Sequence, residues 1–159
     1  MTKADYESIP PVLQADETMC WAAALEWWAR VTGRPVITQL NLLVRFERLW
    51  DHTGDFETNP NYGTINREQF AQALAADSEY RMNVDFVDQS SLNRAYLEPK
   101  LPCLLMYYEE RVDGYHAVVV YAVDDAQLHL MNPNCGFEHR AWRRMFQYPS
   151  SGVVVGYPA

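Results

Sequence analysis

The stretch Gln14-Ala-Asp-Glu-Thr-Met-Cys20-Trp21-Ala-Ala-Ala-Leu-Glu-Trp27-Trp28-Ala-Arg-Val31 runs from a polar segment into a helix whose first turn carries a cysteine. Thr18 is a good N-cap residue and would set Cys20 in that first turn, where unpaired backbone N–H groups and the helix dipole favour negative charge. A thiolate gains most from such a position. Between Cys20 and Val31 only Glu26 and Arg30 are charged, so they can share one solvated stripe while the rest of the circumference is apolar. Ala22, Ala23 and Ala24 would let other backbone approach closely. The stretch predicts a central helix, buried on most sides.

A lone cysteine in a helix is ordinarily inert packing, since free cysteine is among the most buried residue types. Its surroundings argue for more. Gln14 stands in the segment leading to the helix, so its amide and the Cys20 backbone N–H can converge beside the sulfur as an oxyanion hole. A neutral thiol attacks amides poorly, and a histidine paired with it supplies both the ionised sulfur and a proton for the leaving amine. Gly114-Tyr115-His116-Ala117-Val118-Val119-Val120-Tyr121 reads as a strand opening on such a histidine. Leu128-His129-Leu130-Met131-Asn132-Pro133-Asn134-Cys135-Gly136 reads as the next strand and offers two amides, Asn132 and Asn134, that could orient the ring. Alternation favours Asn132, on the face of Leu128 and Leu130, while Asn134 stays open.

Gln, five residues, then Cys-Trp-Ala at a helix start, followed by a strand His and a second-strand Asn, resembles the papain-like cysteine peptidases. The likeness is to their compact bacterial branches, the C39-like peptidases and the AvrRpt2-type effector proteases. It spans Gln14 to Gly136 with a last strand beyond, and the order Gln, Cys, His, Asn is the family's. The resemblance implies a papain-like α+β fold with a central catalytic helix packed on a C-terminal antiparallel sheet. It implies one peptidase domain over residues 1–159, with Cys20 as nucleophile, His116 as proton shuttle, Asn132 as orienting residue and Gln14 in the oxyanion hole. No cofactor or metal is required. Two departures stand out: the extra Cys that plant-type papains carry just before the nucleophile is replaced by Asp16-Glu17-Thr18-Met19, and the Cys-to-His interval is shorter than the ~130–150 residues of papain and cathepsins. Glu17 would oppose a thiolate if it faced the site, so it is expected to face water.

The family resemblance further implies a bacterial effector or toxin role with a protein or peptide target and a neutralising partner protein. A deamidase or acyltransferase would use the same thioester and the same four residues, and a binding module on an inactive scaffold would use none of them.

Composition bounds these readings. In 159 residues, 48% are hydrophobic, which suits one domain with one substantial core. With 13 Lys and Arg against 21 Asp and Glu the formal charge is −8, which argues against nucleic acid as the main partner. Cys20, Cys103 and Cys135 make no disulfide framework, and a working thiolate belongs in a reducing place. Neither a signal-peptide core nor a run of ~18 apolar residues is present, so the chain is expected to fold in the cytoplasm without a membrane span, any delivery following a non-Sec route.

Along the chain, Pro10-Pro11 enforces extended backbone toward Gln14. Thr38 is expected to cap a helix over 38–50 that buries Leu40, Leu43, Val44, Phe46 and Trp50, and 51–63 reads as a loop whose Phe56 and Tyr62 are candidates for a substrate wall. Thr64 is expected to cap a helix over 65–76, and Ser90 or Ser91 one ending before Pro99. Strands are expected over 83–87, 102–108, 115–123, 127–131 and 152–156. Cys135 and His139 have a helix-like spacing for metal without a second pair, His52, His129 and His139 read as loop or surface residues, Cys103 as core, and the tryptophans as packing.

Overall fold

The computed structural model describes residues 1–55 and 57–159, so Phe56 lies outside the described residues. Among the described residues four helices come first, and the strands follow with two short helices among them: α1 Lys3–Glu7, α2 Cys20–Thr32, α3 Gln39–Arg45, α4 Arg67–Ala76, β1 Met82–Asp88, α5 Arg94–Leu97, β2 Cys103–Glu109, β3 Gly114–Val123, β4 Gln127–Asn132, β5 Gly136–Ala141, α6 Trp142–Met145 and β6 Gly152–Pro158. The strands form one antiparallel sheet in the order β1-β6-β2-β3-β4-β5. None of the helices among the described residues is long and apolar enough to cross a membrane.

Alternation along the strands separates two cores. Leu104, Met106, Ala117, Val119 and Tyr121 face α2 and its neighbours. Cys103, Leu105, Tyr107, Val118, Val120, Leu128 and Leu130 face the other way, under Leu92, Leu97 and Met145. Helix α2 is buried on nearly every side, and each of its tryptophans ties down a different segment by donating its indole N–H: Trp21 to Gly63 O at 3.1 Å, Trp27 to Ile9 O at 3.3 Å and Trp28 to Pro102 O at 2.9 Å. An indole combines large apolar area with one donor that must be satisfied once buried, so it fixes position as well as volume. The expected solvated stripe is only half present: Glu26 is buried and Arg30 reaches it from solvent at 3.2 Å.

Several expectations are corrected. Helix α2 starts at Cys20 as expected, yet Met19 is its N-cap and Thr18 caps nothing; the Thr18 hydroxyl donates to Tyr62 O at 2.6 Å instead. Thr38 does cap α3, but that helix ends at Arg45 and buries Leu42 and Phe46, leaving Leu40 61% and Val44 72% exposed. Asn66 rather than Thr64 caps α4, and Asn93 rather than Ser90 or Ser91 caps α5, with Pro99 inside a following 3₁₀ turn. Helix α1, held by a capping box between Thr2 and Asp5, was not expected, nor were β5 and α6.

Candidate active site

Cys20 opens α2 and His116 lies near the start of β3, and the two share a cleft of about 680 Å³. Gln14 lines the same opening beside them, in an adjoining hollow of about 430 Å³. Cys20 belongs to the core on the α2 side, whereas His116 has the parity of Val118 and Val120 on the opposite face. Both line the cleft at a strand end, where the Ala117 backbone N–H donates to the Cys20 sulfur.

Cys20 is 9% exposed and His116 4%. Burial pushes the Cys20 thiol up, opposed by N–H groups of Ala117, Trp21 and Cys20 itself, the last two being open donors at the start of α2. Burial likewise pulls the His116 imidazole down, with the Asn132 bond opposing it. Each residue alone thus resists charge.

Asn132, at the end of β4, accepts from His116: its Oδ1 lies 2.8 Å from Nε2. The Asn134 side chain does not take that place; Asn134 donates its backbone N–H to the same Oδ1 at 2.9 Å and lines the hollow beside Gln14. With Nε2 engaged as donor, Nδ1 is the ring nitrogen left to accept a proton.

Gln14 is held from two sides. Its N–H donates to Pro133 O at 2.9 Å, and the Gln39 carboxamide donates to Leu13 O at 2.8 Å and accepts the Ala15 N–H at 2.9 Å. Its own side-chain oxygen is buried without a hydrogen-bond partner among the described residues. Glu17 is exposed, at the mouth of the cleft.

The facing wall comes from the 51–66 segment. Pro60, Asn61 and Thr64 line it, while Tyr62, expected there, turns its ring to Trp50. Trp21 supports the site from behind by its bond to Gly63 O. Cys103 is buried with its thiol pushed up to about 12 by burial, as packing requires, and Cys135 donates to Glu138 at 3.4 Å. Gln39 and Glu138, which the sequence did not single out, and Thr18, which it offered only as a cap, bond the segments that carry the site.

No protein-family model matches the chain, and no curated protein matches it. Solved structures do. A double glycine motif protease from an AMS/PCAT transporter, solved in complex with the leader peptide, is 13% identical with a TM-score of 0.60, covering 94% of this chain and 91% of that one. The peptidase domain of Streptococcus ComA, a bifunctional ABC transporter, is 17% identical with a TM-score of 0.62, covering 94% of this chain and 98% of that one. Pseudomonas avirulence protein AvrPphB aligns at a TM-score of only 0.36, too low to bear on this chain. The mixed helix and antiparallel-sheet architecture is thus the papain-like fold of those two peptidase domains.

Proposed function

We propose that residues 1–159 form one papain-like cysteine peptidase domain that cleaves peptide bonds with Cys20, His116, Asn132 and Gln14. The observation that carries this reading is the convergence of Gln14, Cys20 and His116 on one opening, with the His116 ring held by Asn132 at 2.8 Å.

In this reading the Cys20 proton passes to His116 Nδ1 and the thiolate attacks a peptide carbonyl carbon. The resulting oxyanion is received by the Cys20 N–H and the Gln14 amide, and Asn132 keeps the imidazolium in line. Collapse expels the amine, which takes the proton from His116, and leaves a thioester on Cys20. Water, deprotonated by His116, then releases the acid and restores the thiol. The chain's own residues supply every proton transfer.

An extended peptide is the substrate class that suits the fold, the transporter protease having been solved with a leader peptide. The toxin-like role, with a protein target and a neutralising partner, rests on the sequence resemblance. Peptide profiling of a lysate treated with wild type and with Cys20→Ala tests the reading: new termini produced by wild type alone support it. A one-dalton gain without chain cleavage would assign the same thioester to a deamidase, and no covalent change of any kind would remove the enzyme reading.

A further inference from the structure

Asn132 is 2% exposed, and its amide has two possible orientations. As placed, Oδ1 accepts from His116 Nε2 at 2.8 Å and from the Asn134 N–H at 2.9 Å, while Nδ2 donates to Glu138 Oε1 at 3.2 Å. Turned over, the amide would set its NH₂ against the Asn134 N–H and its oxygen against a carboxylate. Both contacts would be repulsive.

The orientation decides the chemistry of the ring. With an oxygen facing Nε2, the proton of neutral His116 must sit on Nε2, and Nδ1 keeps its lone pair. With an NH₂ facing Nε2, the proton would sit on Nδ1 and occupy the position that the thiol proton needs. From these contacts we infer that Glu138 is a positioning residue: its carboxylate holds the Asn132 amide so that His116 keeps Nδ1 free. The inference draws its chemistry from the peptidase reading, but its geometry does not depend on that reading.

The sheet register explains why Glu138 can do this. In β5 it pairs with Leu130, two residues before Asn132 on the same face of β4, so its side chain reaches Asn132 on the diagonal. Its other partners fix it as an anion. Arg111 donates to Oε1 at 3.0 Å and the Cys135 thiol to Oε2 at 3.4 Å. Burial alone would raise the Glu138 carboxyl, yet the bonds from Arg111 and Asn132 together with the Arg111 charge outweigh it and hold the group below the usual carboxylate range. The Asn134 N–H pulls the amide the same way, so removal of the carboxylate asks whether that single neutral bond suffices.

The test is ¹⁵N NMR of the histidine-labelled full chain near neutral pH, with thermal unfolding as a check on folding. Wild type is expected to show His116 with its proton on Nε2. Glu138→Leu, and Glu138→Ala should the first fail to fold, are expected to show a population protonated on Nδ1, and Glu138→Asp to restore the wild-type signature. Alkylation of the Cys20 peptide by iodoacetamide, followed by mass spectrometry, is expected to slow on the order of 10- to 100-fold in the neutral variants, as for other residues that orient a histidine. Folded neutral variants with the wild-type tautomer and alkylation rate overturn the inference. A tautomer shift in a chain that cleaves no peptide upholds it while removing the peptidase reading.

Discussion

Gln39 has no place in the four-residue pattern, yet its carboxamide bonds the backbone on both sides of Gln14. Its contribution should be felt in the transition state more than in the fold. Water can replace its exposed bonds, so Gln39→Ala is expected to cost under about 1 kcal/mol of stability. An oxyanion donor acts only as charge develops, so loosening its backbone lowers kcat and leaves KM nearly unchanged. Removing the donor itself, in Gln14→Ala, is expected to lower kcat by about 10²-fold or more, in line with other oxyanion-hole deletions. Gln39→Ala should fall in the same direction by a smaller factor. Steady-state kinetics on a cleavable peptide, read beside thermal melts, checks both; a rise in KM at constant kcat would assign Gln39 to substrate binding instead.

At the scale of elements, the clamp between the start of α2 and the 51–64 loop shapes the cleft. Thr18 donates to Tyr62 O, Trp21 donates to Gly63 O, and Gly63 lies at φ +88° with room for no side chain: an added Cβ would sit 2.2 Å from Thr18 Oγ1. Gly63→Ala therefore carries two penalties, a left-handed backbone that L residues avoid and a clash with a hydroxyl held on both sides. Destabilisation of about 1–3 kcal/mol is expected. In a Thr18→Ala background the hydroxyl clash is gone, while a tight 3.3 Å approach to the residue 18 Cβ and the backbone penalty stay, so the Gly63→Ala cost should shrink without vanishing, a coupling that a double-mutant cycle of melts would read. Thr18 also marks the limit of what sequence shows. A threonine before a helix is a cap by local rules, and so are Thr64 and Ser90, but local rules do not see a carbonyl arriving from 44 residues away. The placing of Gln14, Cys20 and His116 at one opening, with Asn132 against the His116 ring, was legible because residue type, chain order and element type all agreed. Glu138 and Gln39 were not, because a carboxylate or amide on a strand or helix has no signature until its partner is known. Strand β5 escaped for a related reason: Glu138, His139 and Arg140 carry no apolar alternation, since that strand pairs at the sheet edge and gives the core little beyond Phe137.

For the molecule as a whole, that charge joins the far face of the sheet into one acid-sensitive unit. Glu109, 3% exposed at the end of β2, accepts from the Tyr107 hydroxyl at 2.5 Å, from the Arg111 N–H at 3.1 Å and from Arg140 on β5. Arg111 continues to Glu138 at 3.0 Å, and Glu138 to Asn132, so the network reaches the residue beneath His116. Burial alone would raise the Glu109 carboxyl, but the Tyr107, Arg111 and Arg140 bonds and the Arg140 charge bring it from its ordinary 4.5 down to about 2. A carboxyl whose folded value lies below its unfolded one stabilises the fold fully above the unfolded value and loses that stabilisation as pH falls through the folded one. The window is therefore about 4.5 down to 2, and the shift corresponds to about 3 kcal/mol. Unfolding followed at intervals across that window is expected to show stability falling as pH falls. Glu109→Gln should be less stable than wild type near neutral pH, because Arg140 loses its charged partner and Arg111 one of its two, and should show a flatter decline below pH 4.5. Parallel acid limbs in the two proteins would place the sensitivity elsewhere. Because the same network supports Asn132, alkylation of Cys20 in Glu109→Gln should slow near neutral pH, where the chain remains folded, by less than in the Glu138 variants, which touch that amide directly.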